Sequence, residues 1–74
     1  MSIKLPVVSA IEAIKAFNRA GFVLVSQKGS HVKMYNNITQ RTVIIPRHSE
    51  ISKTTLKSML KQSSLSLEEF LEYL

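Results

Sequence analysis

In "SAIEAIKAFNRAG" the apolar residues Ala10, Ile14 and Phe17 recur at i, i+4 and i+7, with Ile11 and Ala13 beside them. That is the spacing of one buried helix face. Ser9 and Glu12 have the spacing of a capping box, in which each side chain satisfies a free N–H at the helix start. Lys15 and Arg19 fall on the opposite stripe, and Gly21 suits the C-terminal cap, where a positive φ costs glycine little. The periodicity then changes. "FVLVSQ" is apolar, β-branched and aromatic, and too short for a helix between its flanking breakers, so the pattern predicts a buried strand. "KG" turns the chain. "SHVKMY" alternates, placing His31, Lys33 and Tyr35 on one face of a second strand and Val32 and Met34 on the other. "NNITQ" predicts a loop, with asparagine tolerating left-handed backbone. "RTVIIP" is a third strand ended by Pro46, which has no N–H for a ladder. The three strands form an antiparallel meander.

"RHSEIS" reads as an exposed connection. Ser52 can cap a second helix, "KTTLKSMLKQ", whose apolar face is Leu56, Met59 and Leu60. Lys53, Lys57 and Lys61 recur every four residues beside that face. Lys53 stands in the first turn, where the helix dipole disfavours a cation by about 0.3–1 kcal/mol, a cost that an anion met there would offset. "SSLSLEEFLEYL" predicts a last short helix, with Ser66 and Glu69 as a second capping box and Leu65 and Phe70 at hydrophobic-staple spacing. The expected fold is a small α+β domain of order α-β-β-β-α-α. It has a three-stranded antiparallel sheet covered by helices on one face and open on the other. The 74 residues, without repeat or internal linker, are read as a single domain over 1–74.

Charge sharpens this picture. Residues 1–61 hold all ten Lys and Arg and two of the five acids, a net of +8; residues 62–74 hold the other three acids and no base. A compact basic body points to a polyanionic partner, nucleic acid being the commonest. The chain has no aspartate, and three of its five glutamates (Glu68, Glu69, Glu72) lie in the last helix, where helix surface accounts for them. Carboxylate clusters of the kind that hold paired catalytic metals are therefore not expected, and neither is any other cofactor. The absence of cysteine removes thiolate chemistry and fits a reducing, cytoplasmic setting. No segment is long and apolar enough to suggest a membrane span or a signal peptide.

The candidate chemistry centres on "QKGSHVKMYNN". Here an imidazole, a hydroxyl and a turn glycine stand together, flanked by Lys28 and Lys33. From parity and charge alone, His31 is either a proton carrier or a solvated surface histidine. "AGFVLVSQKGSHVKMY", "VIIPRH" and "TLKSMLKQSSLSLEEFL" taken together resemble the HicA toxins, a family of small mRNA interferases. The resemblance rests on Gly29-Ser30-His31, then the P-x-H of Pro46 to His48, then a T-L-x-x-[IM]-L-[KR]-Q helix beginning at Thr55, all in order in a chain of this length. Thr54 stands where relatives usually have glycine, and Asn36-Asn37-Ile38-Thr39 stands where they often have a P-D-G-like turn.

The resemblance implies a fold similar to a double-stranded-RNA-binding domain and a toxin that cleaves mRNA. It also implies a HicB-like antitoxin with which the toxin forms a hetero-oligomer. It assigns the catalytic histidine to His31. RNA supplies its own 2′-OH nucleophile, so cleavage needs a base, an acid and positive charge rather than a metal. An imidazole titrates close enough to neutrality for either proton role. Lys28 then stabilises phosphorane charge or holds the backbone, and Ser30 bonds a phosphate or orients the imidazole. Gly29 lets the backbone approach a phosphate or simply turns the chain. His48 is the complementary acid or a contact to substrate or antitoxin. Tyr35 either stacks a base or packs across the sheet. Lys33, Lys53, Lys57 and Lys61 are candidates for RNA binding, adding affinity without sequence choice. The alternative class is a non-catalytic module that holds duplex RNA on the same basic fold.

Overall fold

The computed structural model describes residues 4–74; residues 1–3, the start of the expected single domain, lie outside the described part. Six elements follow one another: α1 (Ala10–Arg19), β1 (Val23–Lys28), β2 (His31–Asn36), β3 (Arg41–Pro46), α2 (Lys53–Ser63) and α3 (Leu67–Tyr73). The strands form an antiparallel sheet in the order β1-β2-β3. This is the α+β order expected from periodicity.

The helix starts are built as the serine spacings predict. Ser9 and Ser66 each accept from the N–H of the third helical residue, while Glu12 and Glu69 return the bond to the cap N–H. Ser52 accepts from the Thr55 N–H at the start of α2. The α1 cap is Ala20, and Gly21 one residue later takes the positive φ of 103°.

Alternation along β2 holds: Val32, Met34 and Asn36 face the core, while His31 and Lys33 are exposed and Tyr35 is half-buried. Val43 and Ile45 of β3 join the same core, which α1, α2 and α3 complete with Ala13, Ala16, Phe17, Leu56, Met59 and Phe70. Phe17 lies at its centre, edge-on to Phe22 with 5.6 Å between ring centroids. Its ring centroid is 5.3 Å from that of Phe70. Edge-to-face and tilted pairs at this range add attraction beyond the area they bury.

The structure corrects three expectations. The strand expected to be buried is exposed at all six positions, with Leu24 and Val25 about half accessible; only Phe22, just before it, enters the core. The reason is topological. β1 is an outer strand, and the helices pack chiefly over the β3 side of the sheet. The "RHSEIS" connection is not exposed throughout: Ile51 is a core residue, and its N–H donates to the Val8 carbonyl at 2.8 Å. In the β2–β3 turn the left-handed residue is Gln40, with φ 60°, not an asparagine. Asn36 instead is buried and uses its side chain, accepting from the N–H groups of Ile38 and Thr39.

Candidate nucleic-acid interface

His31 is the first residue of β2 and is exposed. It pairs with Lys28 of β1 on one side and Pro46 of β3 on the other. Between Lys28 and His31 the chain reverses in two residues, Gly29 and Ser30. Gly29 carries φ 59° and Ser30 does not share the positive φ, the pattern of a hairpin turn that needs glycine at its first position. The register and this turn together set where the imidazole leaves the sheet.

The segment after β3 is stitched to the same place. The Arg47 N–H donates to the Ser30 carbonyl at 2.6 Å, and the His48 N–H donates to the Pro46 carbonyl at 2.8 Å. The His48 carbonyl accepts from the Ala10 N–H, in the first turn of α1, at 3.0 Å. His48 therefore lies outside the strands, yet its backbone is anchored on both sides.

These residues form one wall of a cleft of about 310 Å³, with His31, Ile44, Pro46 and His48 on the sheet side. Thr55, Ser58, Met59 and Gln62 of α2 form the other wall. The volume falls at the small end of the roughly 300–1,000 Å³ common for ligand sites. Gln62 also closes the sheet: its Oε1 accepts from the Ile44 N–H at 3.0 Å. With that oxygen engaged, the amide offers its Nε2 hydrogens as donors. The wall thus combines two imidazoles, two hydroxyls and an amide donor with an apolar floor. Such a set can hydrogen-bond an anionic oxygen and, through the imidazoles, exchange a proton with a hydroxyl held beside it. No group of three metal-ligating side chains is assembled among the described residues.

The sequence candidates separate into three groups. His31 and His48 share the cleft. Lys28, Gly29 and Ser30 form its hairpin edge without lining it, and all three are exposed. A Cβ placed on Gly29 would meet nothing within 4 Å, so open space is available there for an approaching ligand. Lys33 and Tyr35 share the sheet face of His31, but Tyr35 is four residues farther along β2, about 13 Å at the rise of a strand.

Lys53, Lys57 and Lys61 are exposed on α2 but stand apart from the cleft. At 3.6 residues per turn, their stripe is roughly 140° around the helix from that of Thr55, Ser58 and Gln62. The latter three were not singled out from the sequence. Their signal was present as a polar stripe on the other flank of Leu56, Met59 and Leu60.

A histidine-bearing cleft between a small antiparallel sheet and a capped helix defines the class: a compact α+β domain with a polar surface site. A family model described as HicA toxin of bacterial toxin-antitoxin matches residues 11–65, from α1 through the end of α2, and the chain belongs to that family. It is accordingly a toxin of the toxin–antitoxin kind. Comparison with curated proteins gives no match. Among the described residues no helix is long and apolar enough to cross a membrane.

Proposed function

We propose that this toxin is a metal-independent endoribonuclease that cleaves mRNA, with His31 as the base that removes the 2′-OH proton. The 2′-oxygen then attacks the adjacent phosphorus, leaving a 2′,3′-cyclic phosphate and a 5′-hydroxyl. Family membership supports this reading. The observation that carries it is the position of His31: exposed on the open sheet face, at the mouth of a cleft with hydroxyl and amide donors opposite. Lys28 and the Gly29-Ser30 turn sit where a phosphate backbone would enter. Lys33, Tyr35 and the lysines of α2 extend the RNA-binding surface beyond the cleft. A HicB-like antitoxin silences the toxin in the cytoplasm by covering this basic face, where opposite charge speeds and orients docking.

The test compares wild type with His31→Ala on purified mRNA in the presence of a chelator. The expected result is undiminished RNA binding and a loss of cleavage of about 10²–10⁴, the usual worth of a positioned proton-transfer group. Cyclic-phosphate ends should form with the wild type only. The lysine stripe outside the cleft lining favours one competing reading, a binder of duplex RNA that does not cut. Wild-type protein that binds RNA and leaves it intact would establish that reading instead.

A further inference from the structure

We propose that His48 is the general acid of the cleavage reaction, protonating the departing 5′-oxygen while His31 takes the 2′-OH proton. The inference rests on the endoribonuclease reading above and goes beyond it, because that reading requires only the base. Two observations carry it. The first is placement. Pro46 is the cross-strand partner of His31, and the Arg47 N–H bond to the Ser30 carbonyl ties the His48 segment to the hairpin that bears His31. His48, two residues past Pro46, lines the same cleft, its backbone held through its own N–H and carbonyl. The second is elimination. Among the described residues, no carboxylate, lysine, arginine or tyrosine lines the cleft. Hydroxyls and an amide do not ionise near neutral pH, so the two imidazoles are the lining groups able to give or take a proton there.

The step balances without a further reactant. The bond from the 2′-oxygen to phosphorus forms and the bond from phosphorus to the 5′-oxygen breaks. The 2′-OH proton passes to neutral His31, and the His48 imidazolium gives its proton to the leaving oxygen. The two imidazoles end with exchanged protonation states, which water restores before the next turnover. Attacking and leaving oxygens lie in line on opposite sides of phosphorus. Base and acid must therefore be two distinct groups, and His31 and His48 stand on separate segments, the start of β2 and the connection after β3.

The experiment uses the full chain and a short RNA with one linkage that the wild type cuts. The RNA is made once with oxygen and once with sulfur at the 5′-bridging position. A thiolate departs without protonation, so the sulfur substrate does not need an acid. His48→Ala and His48→Gln should cut the oxygen substrate about 10²–10⁴ more slowly than wild type, yet cut the sulfur substrate within about tenfold of it. His31→Ala should be slow on both. The wild-type rate on the oxygen substrate should rise and then fall with pH, and the His48 variants should lose the fall. The side chain of His48 makes none of the anchoring bonds, so both variants should melt as wild type does.

Variants that cut the oxygen substrate at the wild-type rate, or that sulfur fails to rescue, would overturn the assignment. So would rescue of His31→Ala in place of the His48 variants. If no RNA that the wild type binds proves to be cut when that substrate is sought, the endoribonuclease reading itself is overturned instead.

Discussion

Gly29 is demanded by its torsion and not by its surroundings. Its φ is 59° and a Cβ there meets open space. Gly29→Ala should therefore lose only the cost of the positive-φ backbone, about 1–3 kcal/mol, and Gly29→Asn, whose longer side chain also meets open space, should lose no more than that. Urea unfolding of the two variants checks this, and a markedly larger loss for Asn than for Ala would point to a side-chain clash instead. Gly21 is different. Its φ is 103°, and an added Cβ would lie 3.1 Å from Nδ2 of Asn36, a buried side chain that organises the β2–β3 turn. At this scale the sequence was most readable where the cause is local. The turn at Gly29 and the outward parity of His31 depend on neighbours within a few residues. Gln62 was not readable as a site residue, because the Ile44 N–H that fixes its amide lies eighteen positions away.

The two capping boxes were equally local, and they carry a pH dependence. The Ser9 N–H donating to Glu12, with its hydroxyl adding to the effect, holds that carboxyl below its ordinary 4.5; Lys15 contributes less. Ser66 does the same for Glu69. A carboxyl whose pKa is lowered by folding stabilises the native state above its unfolded value, and that contribution is lost as pH falls through the folded one. Stability should therefore decline on acidification below about 4.5. The double variant Glu12→Gln/Glu69→Gln keeps the capping geometry without titrating, so its urea midpoint should fall less steeply than that of wild type over this range. Parallel curves would place the acid sensitivity elsewhere.

β1 shows what element-level patterns omit. A continuous apolar run has no parity to separate a covered strand from a bare one; that depends on where the helices settle. Since β1 is bare, Leu24→Thr should change stability by no more than about 0.5 kcal/mol. Ile45→Ala, in the core, should cost about 2–5 kcal/mol. A penalty at Leu24 as large as that at Ile45 would mean that β1 is covered in solution.

For the molecule as a whole, the excess of positive charge was plain from the sequence, but its distribution about the site was not. Helical periodicity placed Lys53, Lys57 and Lys61 beside the apolar face of α2. It did not say on which flank the open sheet face would lie. The cleft opens on the flank of Thr55, Ser58 and Gln62, so the lysine stripe falls on the other flank of the apolar face, outside the cleft lining. Affinity and chemistry should then be separable. Replacing all three lysines by alanine frees the phosphates they neutralise, and each phosphate so freed should lower the slope of log affinity against log salt by about 0.7–0.9. If all three touch RNA, the slope falls by about 2 or more, and binding weakens similarly for RNAs of unrelated sequence. At saturating RNA the cleavage rate should stay near that of wild type, because no group that moves a proton has been touched. His31→Ala should show the converse, with binding and salt slope intact and the saturated rate abolished. If instead the triple variant forfeits its saturated rate while keeping its salt slope, the lysines serve the reacting phosphate. RNA would then have to wrap around α2 far enough to bring its two flanks onto one substrate.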